Sequence, residues 1–162
     1  MATLGNLAVT QDESSAEDPL DKIKHVSFML GDEMYALNAA RVYEVLRYTE
    51  ITHVPGAPAF ILGIINLRGN VVTVIDARTV FGLPTIESTS QSRIIVVEIE
   101  DFVLGVLVDR VAEVVDLEKS AIEVAPATGQ DDSSRFIQGV YNKDEQLIIL
   151  VDFSRVVDLA PH

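Results

Sequence analysis

Several features are scarce in this sequence, and each scarcity argues against a class of protein. The 162 residues include no cysteine, which excludes a disulfide framework and a thiolate metal site. Only 12 residues are Lys or Arg against 25 Asp or Glu, and the net charge of −13 argues against a surface for nucleic acid or anionic lipid. No apolar run approaches the roughly 20 residues that a transmembrane helix needs. We therefore expect no nucleic-acid partner and no membrane insertion.

Residues 1–21 are polar and acidic, and they predict a flexible acidic tail ahead of a single domain over residues 22–159. No basic region precedes the short apolar stretch 4–9, which makes it a poor signal peptide, so we expect a cytoplasmic protein. Within the domain, a flexible loop is expected at 126–135 and a C-terminal helix at 153–159.

The chain is organised around the stretch 54–82. Two apolar runs rich in Ile and Val, 60–65 and 71–75, flank a polar tip at 66–70 that contains Asn, Arg and Gly. β-Branched residues suit a pleated sheet, and Asn and Gly accept the positive φ angles of a tight turn. The pattern predicts a β-hairpin that holds Arg68 at its turn.

The same pattern returns further along the chain. The hairpin recurs at an offset of 76 residues, and an upstream segment that contains Glu44 recurs at an offset of 69 as one that contains Glu113. Short strands separated by turns, present twice, predict an all-β fold with a few short helices: two five-stranded SH3-like barrels packed side by side. The repeats span roughly 26–82 and 93–158, and exchange of strands between them is left open. A shared apolar seam is expected, because each barrel alone is small.

The sequence contains no catalytic constellation. Asp76, Asp109 and Asp152 each follow an apolar strand, and capping of the next turn is favoured over acid–base catalysis. The three histidines lack metal-ligand spacing, and no phosphate loop, nucleophile elbow or Cys–His pair occurs. We expect a protein that is not an enzyme and that holds neither a metal nor a cofactor.

The tip of the first hairpin is the strongest candidate site. The 76-residue offset places Asp144 at the position of Arg68, so the strands keep their apolar character while the charge of the tip reverses. The fold therefore does not dictate Arg68. An arginine on a rigid hairpin can pair with a carboxylate in a fork geometry, and Glu44 is a candidate partner within the chain. For Glu44 and Glu113, a solvated strand position is weighted equally with a function. Specificity for a partner protein explains such a surface pair better than a contribution to stability does.

At these residues the sequence resembles the CheW family of chemotaxis coupling proteins, from about Asp21 to Asp158. The resemblance rests on VYEVL at 42–46, VPGAP at 54–58, GIINLRG at 63–69, VIDAR at 74–78 followed by FG at 81–82, GVLVD at 105–109 and IQGV at 137–140. Thr73 and Ala77 stand where the family often has proline and leucine. Both departures concern packing and leave the tip intact.

The resemblance implies a CheW-like double barrel that acts as a non-catalytic adaptor. It would join the cytoplasmic tips of chemoreceptors (methyl-accepting chemotaxis proteins) to the regulatory domain of the histidine kinase CheA, in arrays at the inner face of the membrane. The receptor's helical hairpin would lie in the groove between the barrels. The predicted receptor-binding residues are Val42, Glu44, Gly63 and Arg68 by correspondence, and Asn66 and Leu67 by adjacency. The resemblance does not identify the residues that contact the kinase.

Other interpretations stay open at this point. A coupling protein of another chemosensory-like pathway, such as pilus motility, or the coupling module of a CheV-like protein would show the same motifs. From a different class, a small-ligand-binding β-barrel would use the groove, and it predicts converging polar groups with perturbed pKa values. Self-assembly through exposed barrel edges is compatible with scaffolding.

Overall fold

The computed structural model describes residues 21–124 and 136–154, and these segments form two β-sheets. The predicted tail, except Asp21, and the predicted loop at 126–135 lie outside the described residues. The helix predicted at 153–159 is described only at its first two positions.

The strands are short and separated by tight turns, as the alternation of apolar runs and turn residues predicts. They are β1 (Lys22–Leu30), β2 (Glu33–Asn38), β3 (Val42–Arg47), β4 (Ile61–Leu67), β5 (Asn70–Asp76), β6 (Arg93–Ile99), β7 (Phe102–Val108), β8 (Arg110–Glu118), β9 (Glu123–Val124), β10 (Ile137–Lys143) and β11 (Gln146–Val151). A four-residue helix, α1 (Ala77–Val80), follows β5, and 3₁₀ turns occupy Ala39–Arg41 and Lys119–Ala121. The predicted all-β class with a few short helices is confirmed.

Strands from the two sequence repeats are exchanged between the sheets. The six-stranded sheet has the order β8-β1-β2-β11-β10-β9, and the five-stranded sheet has the order β3-β6-β7-β5-β4. The hairpin β1–β2 of the first repeat therefore lies among strands of the second, and β6–β7 lies among strands of the first. Each sheet contains one parallel pair, β2 with β11 and β5 with β7, where the two repeats meet.

The two sheets correspond to each other position by position. Leu150 of β11 pairs with Ala36 of β2 in one sheet, and Val74 of β5 pairs with Gly105 of β7 in the other. These residues are related by the same offsets of 76 and 69 that the sequence repeats show. The duplication is therefore present in the pairing of the strands as well as in the sequence.

The sheets differ in strand number, because a crossing segment is longer in one of them. Gly63 in β4 and Gly139 in β10 each follow a register shift, and a second chain segment passes directly over each glycine. A Cβ atom would lie 2.0 Å from the Thr52 carbonyl oxygen at Gly63, and 2.4 Å from the Glu123 carbonyl oxygen at Gly139. The segment over Gly139 is the sixth strand, β9, whereas its counterpart makes only the bridge between Thr52 and Ile64. One sheet thus has one strand more than predicted.

The predicted apolar seam is confirmed, because the largest cluster of buried side chains draws on both sheets. Five aromatic rings run through it, with centroids 5.0 to 6.5 Å apart from Phe28 through Tyr35, Phe81 and Phe136 to Phe153. Two smaller clusters lie within the individual sheets. Since a fully buried Phe side chain contributes about 1.5–3 kcal/mol, the seam is a main source of stability.

Candidate functional site

The tip of the first hairpin is a two-residue turn formed by Arg68 and Gly69 between β4 and β5. Both residues have positive φ angles, 51° and 90°, as in a type I′ turn whose twist matches that of the flanking strands. The Asn66 side-chain oxygen accepts a hydrogen bond from the Gly69 amide at 2.9 Å and thereby fixes the tip. Arg68 is held in a conformation that costs a non-glycine residue about 1 kcal/mol.

Arg68 forms a fork-like ion pair with Glu44 of β3, which confirms the predicted partner within the chain. One guanidinium nitrogen, Nη1, lies 3.4 Å from Oε2, and Nη2 donates to Oε1. The outermost strands of the five-stranded sheet are β3 and β4, so the pair spans the open side of this sheet. The hydrogen bonds from Arg68 lower the pKa of the Glu44 carboxyl, and those with Glu44 raise the pKa of Arg68. The pair is accessible, with 62% of the arginine side chain and 26% of the glutamate side chain exposed.

The other predicted site residues lie around this pair in different environments. Asn66 is exposed at the tip, whereas Gly63 is buried beneath the Thr52 backbone. Leu67 is half-buried and packs into the cluster within the five-stranded sheet. Val42 is half-buried at the start of β3 and packs against the shared seam. The structure thus places three predicted polar residues on one surface and the three apolar ones beneath or beside it.

Tyr43 also belongs to this surface, although it is not among the residues predicted from the sequence. Tyr43 is 55% exposed, and its interaction with Arg68 contributes to the raised pKa of that arginine, after the larger contribution of Glu44. We use the name tip surface for Tyr43, Glu44, Asn66 and Arg68. A tyrosine in an apolar run usually belongs to a core, but exposed and half-buried positions alternate along β3, and Tyr43 is an exposed one at the register shift between Val42 and Glu44. That alternation is the signal that could have identified it.

Two of the three strand-end aspartates cap turns, as predicted. Asp76 accepts a hydrogen bond from the Arg78 amide at 3.0 Å at the start of α1, and Asp152 accepts one from the Ser154 amide at 2.9 Å. Asp76 is buried, and this burial raises the pKa of its carboxyl. The raised pKa of Asp76 therefore follows from the desolvation of a capping carboxyl group and needs no catalytic role.

The capping prediction for Asp109 is wrong, because this residue forms an ion pair with a distant arginine. Its carboxylate oxygens lie 2.9 Å from Arg78 Nε and 2.7 Å from Nη2, and it also accepts the Gly31 amide at 2.7 Å. The hydrogen bonds from Arg78 lower the pKa of Asp109. Since Asp109 is the single residue between β7 and β8, the pair ties together both sheets where the chain passes between them.

Within residues 21–124 and 136–154, no group of three or more His, Cys, Asp or Glu side chains is placed to hold a metal ion. The helices of this described part are also too short and too polar to cross a membrane.

Comparisons with known proteins agree on one family. A family model for the CheW-like domain matches residues 24–160. The chain is 34% identical over 135 residues to the chemotaxis protein CheW of Bacillus subtilis, covering 83% of this chain and 86% of that protein. It is 27% identical to Protein FrzA of Myxococcus xanthus, over 82% of this chain and 84% of that one. The crystal structure of the scaffolding protein TtCheW from Thermoanaerobacter tengcongensis superimposes with a TM-score of 0.77 at 37% identity, covering 83% and 91% of the two chains.

Proposed function

This chain belongs to the CheW-like domain family of chemotaxis coupling adaptors, and we propose that it joins chemoreceptor cytoplasmic tips to the histidine kinase CheA. It does so without catalysing a reaction, in the cytoplasm, within arrays at the inner face of the membrane. Its contribution is geometric: by holding receptor and kinase together, it lets conformational shifts in the receptor bias the activity of the kinase.

The observation that carries this proposal is an exposed ion pair that the fold does not require. The corresponding tip between β10 and β11 adopts the same kind of turn with Asp144 and Glu145, and it has no arginine. The sheet therefore folds with either charge at its tip. An accessible pair held in one geometry adds little to stability but offers both a cation and a carboxylate to a partner.

We propose that the receptor contacts the tip surface directly through Glu44 and Arg68. Asn66 shapes the turn that presents the guanidinium, since it holds the Gly69 amide. Val42, Gly63 and Leu67 support this surface from below, which is consistent with their half-buried or buried positions. The polar side chains of a helical receptor hairpin supply the complementary charges.

The test is a calorimetric titration of the full chain into the regulatory domain of a CheA kinase, and then into receptor cytoplasmic fragments, from the same source. Arg68→Glu should keep kinase binding and lose receptor affinity by about tenfold or more, because like charges then face each other at Glu44. Arg110→Glu, an exposed arginine on β8, is the matched charge-reversal control and should bind receptor normally.

Two outcomes would contradict the proposal in different ways. Absence of kinase binding by folded wild-type protein would overturn the adaptor assignment for CheA. Unchanged receptor affinity in Arg68→Glu would instead overturn the location of the receptor site.

The similarity to Protein FrzA makes a coupling role in another chemosensory-like pathway the second candidate. Kinase regulatory domains from several pathways of the source organism, titrated in parallel, would separate the two, since the cognate domain should bind most tightly.

A further inference from the structure

The second hairpin tip carries two carboxylates where the first carries an ion pair. Glu113 of β8 corresponds to Glu44, and Asp144 corresponds to Arg68. The backbone supports this correspondence, because Asp144 begins a turn with φ angles of 50° and 68°, both positive as in the first tip. Val96 is the strand partner of Glu44, and Ser27 stands at the corresponding position opposite Glu113. The Ser27 hydroxyl accepts a hydrogen bond from the Glu113 amide at 3.0 Å and donates one to the Glu113 carbonyl at 2.7 Å.

An open surface cavity of about 160 Å³ is lined by both of these exposed carboxylates. It is far larger than the roughly 10–15 Å³ that admits one water molecule. Glu113 and Asp144 line it together with Lys143 and Gln146, and its apolar walls are Met34, Val115 and Ile148. Among the described residues, no side chain pairs with either carboxylate within hydrogen-bond or ion-pair distance.

The first tip shows which groups meet at these positions within the chain. There, a guanidinium from the hairpin tip sits against the carboxylate of the outer strand. In the second tip the outer-strand carboxylate is present, the arginine is replaced by a second carboxylate, and space remains between them. A planar guanidinium can bridge two carboxylates through its fork of donors, while its aliphatic stem packs on apolar walls.

We propose that this cavity receives the guanidinium group of an arginine presented by a partner protein. The apolar walls of the cavity supply contact area for the aliphatic stem of an arginine side chain. The net charge of −13 favours a basic partner. The inference concerns the six-stranded sheet and does not depend on the receptor assignment.

The first test is an NMR titration of the nitrogen-15-labelled full chain with N-acetyl-argininamide, which mimics an arginine within a peptide. Saturable shifts of the Glu113 and Asp144 amides are expected. Glu113→Gln and Asp144→Asn should each weaken binding by about tenfold or more. Asp116→Asn is the matched control, because it also removes a carboxylate from β8. The Asp116 carboxylate pairs with Lys24 and does not line the cavity.

Three further probes discriminate between ligands. The uncharged citrulline analogue should not bind, and the lysine analogue should bind more weakly. Equal binding of N-acetyl-lysinamide would overturn the choice of arginine, and tighter binding of free L-arginine would overturn a peptide source. Shifts that spare residues 113 and 144, or no shifts, would overturn the site.

The second test supplies an arginine within the chain. Asp144→Arg should reach Glu113 as Arg68 reaches Glu44, and it should abolish the response to N-acetyl-argininamide. Adding Glu113→Gln should then lower the melting temperature of Asp144→Arg by more than it lowers that of the wild type. Equal effects in both backgrounds would show that the two positions do not face each other.

Discussion

Gly63 makes the most stringent prediction about this fold, because a single added methyl group has no space there. A Cβ atom would lie 2.0 Å from the Thr52 carbonyl oxygen, which belongs to the backbone and cannot rotate away. The residue also has a φ angle of 151°, which side-chain-bearing residues rarely adopt. We therefore expect Gly63→Ala to push the Thr52 segment off β4.

The cost has two parts. Overpacking of a close contact costs about 1–3 kcal/mol, and a backbone conformation restricted to glycine costs a further 1–3 kcal/mol or so. Together we expect a loss of about 3 kcal/mol or more. For a chain of this length each kcal/mol lowers the melting temperature by about 2–4 °C, so the expected decrease is about 6–12 °C.

Urea denaturation followed by circular dichroism measures the loss, and Gly69→Ala is the matched control. Gly69 also has a positive φ angle, 90°, but a Cβ there meets nothing within 4 Å, so only the backbone cost of about 1 kcal/mol is expected. Amide exchange adds a local readout. The Ile64 and Thr52 amides donate to each other's carbonyl groups at 2.8 Å, and both should lose protection in Gly63→Ala.

Equal stability of the two alanine variants, with the Ile64 amide still protected, would refute this reasoning. It would mean that the crossing segment adapts without loss. In that case any effect of Gly63 on receptor binding would come from direct contact, whereas we expect it to come from displacement of the hairpin.

Two further predictions concern contacts between distant parts of the chain. Asp109→Asn should destabilise the protein by about 2 kcal/mol near neutral pH, because it weakens the pair with Arg78, which is only 14% exposed. Since the folded pKa of Asp109 is lowered, its contribution is complete above the unfolded value of about 4 and disappears as the pH falls through the folded value, so wild type and variant should converge in acid denaturation. Convergence at high pH instead would contradict this sign. Ser27→Ala should lower the free energy of unfolding by about 1–3 kcal/mol and speed amide exchange along β8, because it leaves the Glu113 amide and carbonyl without their partner. Ser90→Ala is the control: it lies at an exposed position in the connection between the repeats and should have no effect.

Local chemistry made part of this structure predictable from the sequence. The turn at Arg68 and Gly69 follows from the preference of Asn and Gly for tight reversals, and the cap at Asp76 follows from its place between a strand and a short helix. These features depend on residues only a few positions apart. The repeats were equally visible, because their offsets keep most apolar positions of one hairpin aligned with apolar positions of the other.

Contacts over long distances were not predictable in the same way. Every apolar strand offers the same alternation, so periodicity does not tell which strand pairs with which, and the exchange of β1–β2 with β6–β7 stayed open. The strand β9 has two residues, too few to show a period. Asp109 meets Arg78 across 31 positions and Gly31 across 78, and no local pattern relates them.

The exchange of hairpins also bears on how this protein came to have two different tips. A chain with a single repeat could pair its strands in this way only with a second identical chain, and such a symmetric assembly would carry two copies of one tip. Joining two repeats in one polypeptide removes that identity without altering a single backbone pairing. One tip is then free to gain arginine and the other aspartate, as Arg68 and Asp144 show. Fusion of the repeats therefore replaces an assembly with two identical tips by a single protein whose two tips differ, so that its two ends can be told apart.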